Sequence, residues 1–207
     1  MSDKSKLTLG LISLFAVLVW SGIRPHDYFT WFLEVLPALL GVGILAAIYP
    51  RFKFTNLTYG LVWIQCAILM VGGHYTYAEM PLFNWIRDTF GLMRNNYDKV
   101  GHFAQGFVPA IVAREALLRV TPLKPGKMVS FIVVSICLAF SALYELFEWQ
   151  VAVILGPRTK DFIGSQGDIW DTQEDMFMCL IGAILAVLLL SRIHDKLIEK
   201  LTRSHAD

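Results

Sequence analysis

Charged residues are scarce in this sequence. Only 17% of its 207 residues are Asp, Glu, Lys or Arg, and the formal net charge is +1, whereas about 25% of the residues of a soluble domain are charged. The small net charge argues against a general nucleic-acid-binding protein, which would need a basic face. Because 56% of the residues are hydrophobic, the composition also excludes an intrinsically disordered chain.

Cysteines are scarce as well, and several catalytic signatures are missing. Cys66, Cys137 and Cys179 all lie inside apolar stretches, which excludes the disulfide framework of a small secreted domain. Their surroundings favour cysteines that pack as small apolar side chains. The sequence contains no Gly-x-x-x-x-Gly-Lys phosphate loop, no His-Glu-x-x-His zinc helix and no Gly-x-Ser-x-Gly nucleophile turn.

Long apolar runs are abundant. Six blocks approach the roughly 20 residues that a helix needs to cross a bilayer, and they cover residues 7–23, 28–49, 57–71, 102–118, 128–147 and 175–190. A soluble bundle is the alternative, but its helices would keep a polar face, which most of these blocks lack. We therefore predict an all-α polytopic membrane protein, in which residues 1–207 form one domain with about six transmembrane helices.

The first apolar block has some features of a signal peptide, since Lys4 and Lys6 precede it. However, the block ends in Val19-Trp20-Ser21-Gly22, which offers no small-x-small cleavage site. A tryptophan at this point suits the interface between membrane and water. We therefore predict that the block is a retained first span.

The basic residues are distributed unevenly over the predicted loops. If the N-terminus lies inside, 12 basic residues fall on the inner side and 6 fall on the outer side. The 12 include Arg114, whose long side chain would extend from its span to the inner surface. The positive-inside rule therefore predicts that both termini are cytoplasmic. The acidic residues show the opposite bias, so that the formal charge is +7 inside and −6 outside.

The last three predicted spans carry ionisable residues at nearly the same depth on the outer side. Residues three, four or seven apart share a helix face. The residues grouped in this way are Asp98 with His102, Glu145 with Glu148, and Asp168 with Asp171 and Asp175. Ionisable groups at membrane depth usually face a cavity or one another, because exposure to lipid at mid-bilayer costs about 2.5–3.5 kcal/mol. We therefore predict a functional site here.

The chemistry of these residues indicates their candidate roles. The candidate catalytic acids and bases are Asp98, His102, Glu145 and Glu148. The candidate binding residues are Lys99, Asp168, Asp171 and Asp175. Carboxylates with an imidazole also suit a divalent metal ion such as Mg²⁺, Mn²⁺ or Ca²⁺, with Zn²⁺ or iron as alternatives. The candidate metal ligands are Asp98, His102, Glu148, Asp171 and Asp175.

Three functions agree with such a site. A metal ion that activates water or holds a phosphate would suit the binding or processing of a lipid or other amphiphile from the outer leaflet. Acids that carry protons or cations would suit a coupled small-molecule transporter, although no internal repeat is visible. Alternatively, ion pairs with Lys99, Arg158 and Lys160 would only hold the helix ends together. The excess of acids over nearby bases favours a functional site.

The longest predicted connection, residues 72–97, contains an amphipathic segment. Leu82, Ile86, Phe90 and Met93 share one stripe of residues 81–93. This pattern predicts a helix that lies in the outer interface, where it would partly cover the site. The alternative is a simple connector.

Three motifs resemble a known family. They are Tyr97-Asp98-Lys99-Val100-Gly101-His102-Phe103, Tyr144-Glu145-Leu146-Phe147-Glu148-Trp149, and Gly167-Asp168-Ile169-Trp170-Asp171-Thr172-Gln173 with Asp175 and Gly182. From about residue 10 to 195 the chain resembles the YjdF family, which implies a multi-pass protein of the bacterial inner membrane. The pattern more loosely resembles the VanZ-like family, with Cys179 in place of the usual Asn and Arg158 as a loose match to an expected Arg. These resemblances imply action near envelope glycolipids or in antibiotic response, without a settled reaction.

Overall fold

A computed structural model of the chain describes residues 3–203, without the side chains of residues 3, 4, 157, 158, 160 and 161. Within the described residues the secondary structure is entirely helical, which confirms the predicted fold class. The helices are α1 (Asp3–Ser21), α2 (Tyr28–Ile48), α3 (Asn56–Tyr75), α4 (Pro81–Phe90), α5 (Tyr97–Val120), α6 (Lys127–Leu155), α7 (Lys160–Ile163) and α8 (Asp171–Arg203), with 3-10 turns at Tyr77–Glu79 and Gly156–Thr159. Several charged residues that entered the predictions above lie outside the described side chains: Asp3, Lys4, Arg158, Lys160, Asp161 and Asp207.

Each of the six predicted spans corresponds to one helix, namely α1, α2, α3, α5, α6 or α8, although α1 ends two residues before residue 23 and α2 ends one residue before residue 49. Of these, α2, α3, α6 and α8 are long and apolar enough to cross a membrane, and the apolar part of α1, Ser5–Ser21, is shorter. The polytopic membrane architecture is therefore confirmed. Helix α5 is not among the four apolar helices. Its charged residues are Asp98, Lys99, Arg114, Glu115 and Arg119, and such a helix needs protein neighbours rather than lipid around it.

Several helix ends differ from the predicted bounds, most of all those of α6 and α8. Helix α6 continues past the predicted end at residue 147 to Leu155, and α8 continues past residue 190 to Arg203. An apolar block shows only which part of a helix is compatible with lipid. The helical hydrogen bonds of α6 and α8 continue into more polar sequence beyond their blocks. Helix α4 ends at Phe90, three residues before the predicted end, because Gly91 adopts the left-handed conformation (φ +65°) that terminates helices.

Helices α5 and α8 lie side by side with their backbones in close contact. A Cβ atom added at Gly106 of α5 would lie 1.9 Å from the Cys179 carbonyl oxygen. A Cβ added at Gly182 of α8 would lie 2.1 Å from the Phe103 carbonyl oxygen. Only glycine fits at either position, as is common where membrane helices pack closely. Both helices begin at the same end of the bundle, so this packing holds their first turns together.

The bundle has an acidic end and a basic end. The acidic end contains Asp98, Glu145 and Asp175, where α2, α5 and α8 begin and α6 approaches its last turns. The basic end contains Lys6 and Lys53, where α1 and α3 begin and α2 ends. One apolar core lies among α5, α6 and α8, and a second lies among α1, α2 and α3.

Candidate functional site

Asp98 and His102 form the centre of the acidic end. They lie one turn apart at the start of α5 and are 6% and 4% exposed. Asp98 Oδ1 lies 3.4 Å from His102 Nε2, because the four-residue spacing puts both side chains on one helix face.

Asp175, from the first turns of α8, joins this pair. It is 2% exposed, and its Oδ2 lies 3.9 Å from His102 Nε2. Asp98, His102 and Asp175 each offer one ligand atom, and these three atoms lie within 4.8 Å of one another. The close packing of α5 on α8 therefore creates a group with the donor types of a metal site.

Two basic side chains also lie at the acidic end. Arg94, just before α5, lies 3.7 Å from Asp98 Oδ2 and 3.3 Å from Asp168 Oδ2, and donates a hydrogen bond to Asp171. Lys99 Nζ lies 3.1 Å from Asp175 Oδ1. These contacts partly balance the acidic charge that the sequence places here.

The two oxygens of each central carboxylate have different neighbours. Asp98 faces Arg94 with Oδ2 and His102 with Oδ1. Asp175 faces Lys99 with Oδ1 and His102 with Oδ2. One oxygen of each carboxylate is thus neutralised by a cation, while the other is directed at the same imidazole nitrogen.

Glu145 of α6 lies on the opposite side of the imidazole. Its Oε1 is 3.7 Å from His102 Nδ1. Among the described residues, neither of these two buried atoms has a hydrogen-bond partner. Because most buried polar atoms in proteins are paired, such atoms call for a physical explanation.

The other predicted site residues lie around this centre. Asp171 contacts Arg94 and lies 3.5 Å from Lys99, so both basic side chains hold it. Asp168 precedes α8 and accepts the Trp170 backbone N–H at 2.9 Å; this hydrogen bond, together with Arg94, lowers the pKa of Asp168 below its usual value. Glu148, one turn beyond Glu145, is partly exposed and lies outside the group of three ligand atoms.

Glu34 of α2 also lies at the acidic end, although it is not among the predicted site residues. It is 2% exposed, its Oε2 has no hydrogen-bond partner among the described residues, and it interacts electrostatically with Asp98 and His102. The available signal was a carboxylate near the start of an otherwise apolar span, which is costly in lipid.

The segment before α5 is held by two amides. Gln166 Oε1 accepts the Asn95 backbone N–H, and Gln166 Nε2 donates to the Asn95 carbonyl oxygen, both at 2.9 Å. The Asn95 side chain donates to the Met80 carbonyl oxygen and to Asn84 of α4. These bonds fix the position of the neighbouring Arg94. Arg94 and Asn95 received no role in the predicted site, because only the fold brings residues 94–95 against residues 164–166.

A second buried polar cluster lies toward the basic end of α5. Glu115 is fully buried and accepts hydrogen bonds from Thr55 N (2.8 Å), Thr55 Oγ1 (2.9 Å), Thr58 Oγ1 (2.6 Å) and Arg119 (2.8 Å). His194 Nε2 of α8 lies 3.0 Å from the same carboxylate. Both carboxylate oxygens are thereby satisfied.

Arg114 extends this second cluster. Its guanidinium lies 3.4 Å from His194 Nδ1 and 2.7 Å from Asp195 Oδ1. Arg114 is 3% exposed and forms an ion pair with the partly exposed Asp195.

Comparison with known proteins places the chain in a family. Residues 6–196 match the family described as "Predicted membrane protein (DUF2238)". The "Inner membrane protein YjdF" of Escherichia coli (strain K12) is 47% identical over 188 residues, which cover 91% of this chain and 90% of that protein. No solved structure matches the chain. The chain therefore belongs to this family, DUF2238, of multi-pass inner-membrane proteins.

Proposed function

We propose that this protein holds a divalent metal ion at His102, Asp98 and Asp175 and uses it to bind or process a phosphate-bearing lipid or other amphiphile. The observation that carries the proposal is the direction of the carboxylates: Asp98 Oδ1 and Asp175 Oδ2 both face His102 Nε2 at 3.4 and 3.9 Å. Arg94 and Lys99 contact only the other oxygens, Asp98 Oδ2 and Asp175 Oδ1. A cation between Asp98 Oδ1, Asp175 Oδ2 and His102 Nε2 would balance the charge on the two remaining oxygens.

The spacing of the three atoms is close to that of metal ligands. Ligands about 2.0–2.2 Å from a metal ion lie roughly 3–3.5 Å from one another. The Asp98 pair falls in this range, and Asp175 would need to move closer, since its oxygen lies 3.9 Å from His102 and the three ligand atoms span up to 4.8 Å. One imidazole and two carboxylates, with further positions open, suit Mn²⁺, Fe²⁺ or Zn²⁺.

Glu145 would orient the metal-binding histidine from the side opposite the metal ion. A histidine that binds metal through one ring nitrogen usually donates the other N–H to a carboxylate, which fixes its tautomer and orientation. Glu145 Oε1 faces His102 Nδ1 in this way at 3.7 Å, and each atom lacks another partner among the described residues. This role accounts for both unpaired atoms at once.

A phosphate-bearing ligand would bind through the metal ion itself, because Arg94 and Lys99 are already paired with carboxylates. The predicted orientation, with both termini in the cytoplasm, puts the acidic end at the outer leaflet, where a lipid headgroup would reach it. A metal ion in this position would polarise the phosphate or lower the pKa of a bound water.

Metal analysis of the purified protein tests this proposal. After incubation with Mn²⁺ or Zn²⁺ and removal of excess ion, we expect about one ion per chain in the wild type. His102→Gln and Asp175→Asn should each lose most of it. Glu174→Gln is the matched control: Glu174 lies next to Asp175 and contacts Lys99 at 3.0 Å, but its side chain is half exposed and lies outside the ligand group.

Two results would contradict the metal centre. One is a wild type without metal, and the other is metal retained equally by His102→Gln. A second candidate function would then gain support, because the unpaired carboxylate oxygens of Glu34 and Glu145 beside His102 could carry protons. That function requires proton-coupled flux in vesicles that Glu145→Gln abolishes.

A further inference from the structure

A large cleft opens at the basic end between α1, α2 and α3. It has a volume of about 820 Å³, within the range of about 300–1,000 Å³ typical of ligand sites. Its walls come from Lys6 to Leu14 of α1, from the last turns of α2, and from the first two turns of α3. The cleft shares no residue with the candidate site at the acidic end.

The interior of the cleft offers few free hydrogen-bonding groups. Trp63 Nε1 donates to Ser13 Oγ at 3.0 Å, and Ser13 Oγ donates to the Gly10 carbonyl oxygen at 2.9 Å. Among the described residues, no side chain that lines the cleft is a buried polar group without a partner. The walls therefore suit a hydrocarbon chain rather than a polar ligand.

Glycines widen the cleft. Gly10 of α1 and Gly60 of α3 both line it, and a Cβ atom added at either would meet no atom within 4 Å. Helical glycine costs about 1 kcal/mol relative to alanine. The packing of the helices does not require glycine here, so both positions are open to a larger side chain.

Basic and aromatic side chains surround the mouth of the cleft. Lys6 lines it, and Lys53 Nζ lies 5.6 Å from the ring centroid of Tyr49, another lining residue. The Tyr49 ring is 6.3 Å from that of Tyr59, which lines the opposite wall. Tyrosines suit the level of lipid headgroups, and ammonium groups attract the phosphates of anionic lipids.

We infer that this cleft binds one anionic phospholipid, with an acyl chain between α1 and α3 and its phosphate at Lys6 and Lys53. The complementary charge at the mouth selects an anionic lipid over a neutral one. Basic pockets between transmembrane helices bind anionic headgroups in the same way. The site lies in the leaflet opposite the candidate metal centre, and it is independent of that centre.

Native mass spectrometry of the full-length protein tests this inference. The protein is equilibrated with phosphatidylglycerol or phosphatidylcholine in detergent, and the retained phospholipid is counted. We expect the wild type to retain one phosphatidylglycerol in preference to phosphatidylcholine. Gly60→Leu, which fills the cleft, should lose this lipid. Gly43→Leu is the matched control, because Gly43 has equally open surroundings but does not line the cleft.

The charge at the mouth is tested separately. Lys6→Gln and Lys53→Gln should each lower the preference for phosphatidylglycerol about fivefold, since a lysine near the surface contributes about this factor. These variants also decide the matter if Gly60→Leu does not fold. Equal retention of the two lipids by the wild type, or unchanged preference in both lysine variants, would overturn the inference. So would a folded Gly60→Leu protein that retains phosphatidylglycerol as the wild type does.

Discussion

The two buried polar clusters along α5 differ in how completely their atoms are paired. Near the basic end, Glu115 is surrounded by hydrogen-bonding groups of Thr55, Thr58, Arg119 and His194. At the acidic end, the buried polar atoms without a hydrogen-bond partner in the described part of the chain include Glu34 Oε2, His102 Nδ1 and Glu145 Oε1. In the first cluster both oxygens of the buried carboxylate are hydrogen-bonded, whereas in the second cluster several buried polar atoms have no partner among the described residues.

This difference separates a structural role from a functional one. Both oxygens of the Glu115 carboxylate accept hydrogen bonds. Glu115 lies on α5, Thr55 precedes α3 and His194 lies on α8, so this carboxylate links three helices. Unpaired buried atoms cost stability, and proteins commonly accept such a cost where a ligand binds. The unpaired atoms therefore support the proposed ligand site at the acidic end.

The largest expected effect on stability is at Glu115. Glu115→Ala should lower the free energy of unfolding by about 3–5 kcal/mol, because it leaves the buried His194 and the hydroxyls of Thr55 and Thr58 without their acceptor. Unfolding of the protein in detergent micelles measures this loss. The control is Glu199→Ala, which removes the exposed pair with Arg203 and should change stability by less than about 0.5 kcal/mol. A small effect at Glu115 would remove the distinction between the clusters.

A substitution at Glu145 should affect metal binding much more than stability. Glu145→Gln should weaken metal binding about 10–100-fold, because the partner of His102 Nδ1 becomes neutral. Stability should change by less than about 1 kcal/mol, since Glu145 Oε1 makes no hydrogen bond to the described residues. Titration with Mn²⁺ followed by electron paramagnetic resonance measures the affinity, with Glu174→Gln as the control. Unchanged affinity would remove Glu145 from the site.

The smallest expected effect is at Asp168, on the exposed edge of the acidic end. The Trp170 N–H, with Arg94, lowers the pKa of Asp168 below the ordinary value of 3.8. The charged form is therefore favoured by folding, and its contribution is present above about pH 4 and disappears as the pH falls through the lowered pKa. Asp168→Asn should reduce the melting temperature slightly at pH 7 and by less as the pH falls below the lowered pKa. Asp88→Asn, another exposed acid, is the control; an equal change in melting temperature at pH 7 and below the lowered pKa would contradict the prediction.

Helix positions could be predicted from sequence because hydropathy acts locally. Each apolar block corresponds to one helix, and residues 128–147 lie wholly within α6. The blocks underestimate the length of helices that continue past the apolar region, such as α8, which ends at Arg203. The apolar blocks also predict α5 as a span like the others, although it carries five charged residues and is not among the four helices that are apolar enough to cross a membrane.

The candidate site could be predicted only in part. The four-residue spacing of Asp98 and His102 predicts a shared face. The distances to Asp175 and Glu145 depend on how α5 packs on α8 and α6, which no local pattern determines. For the same reason the sequence analysis grouped the acids but gave no role to Arg94, and it left Glu34 of α2 out of the site.

The long apolar blocks are sufficient to establish an all-helical, multi-pass membrane protein, because polar groups are costly in lipid. The positions of the acids along the chain likewise place most of them toward one end of the last three spans. Which of these acids meet depends on how the helices pack. Gly106 and Gly182 let α5 and α8 approach closely enough to bring Asp175 beside Asp98 and His102, and contacts between distant residues arise from packing rather than from sequence periodicity.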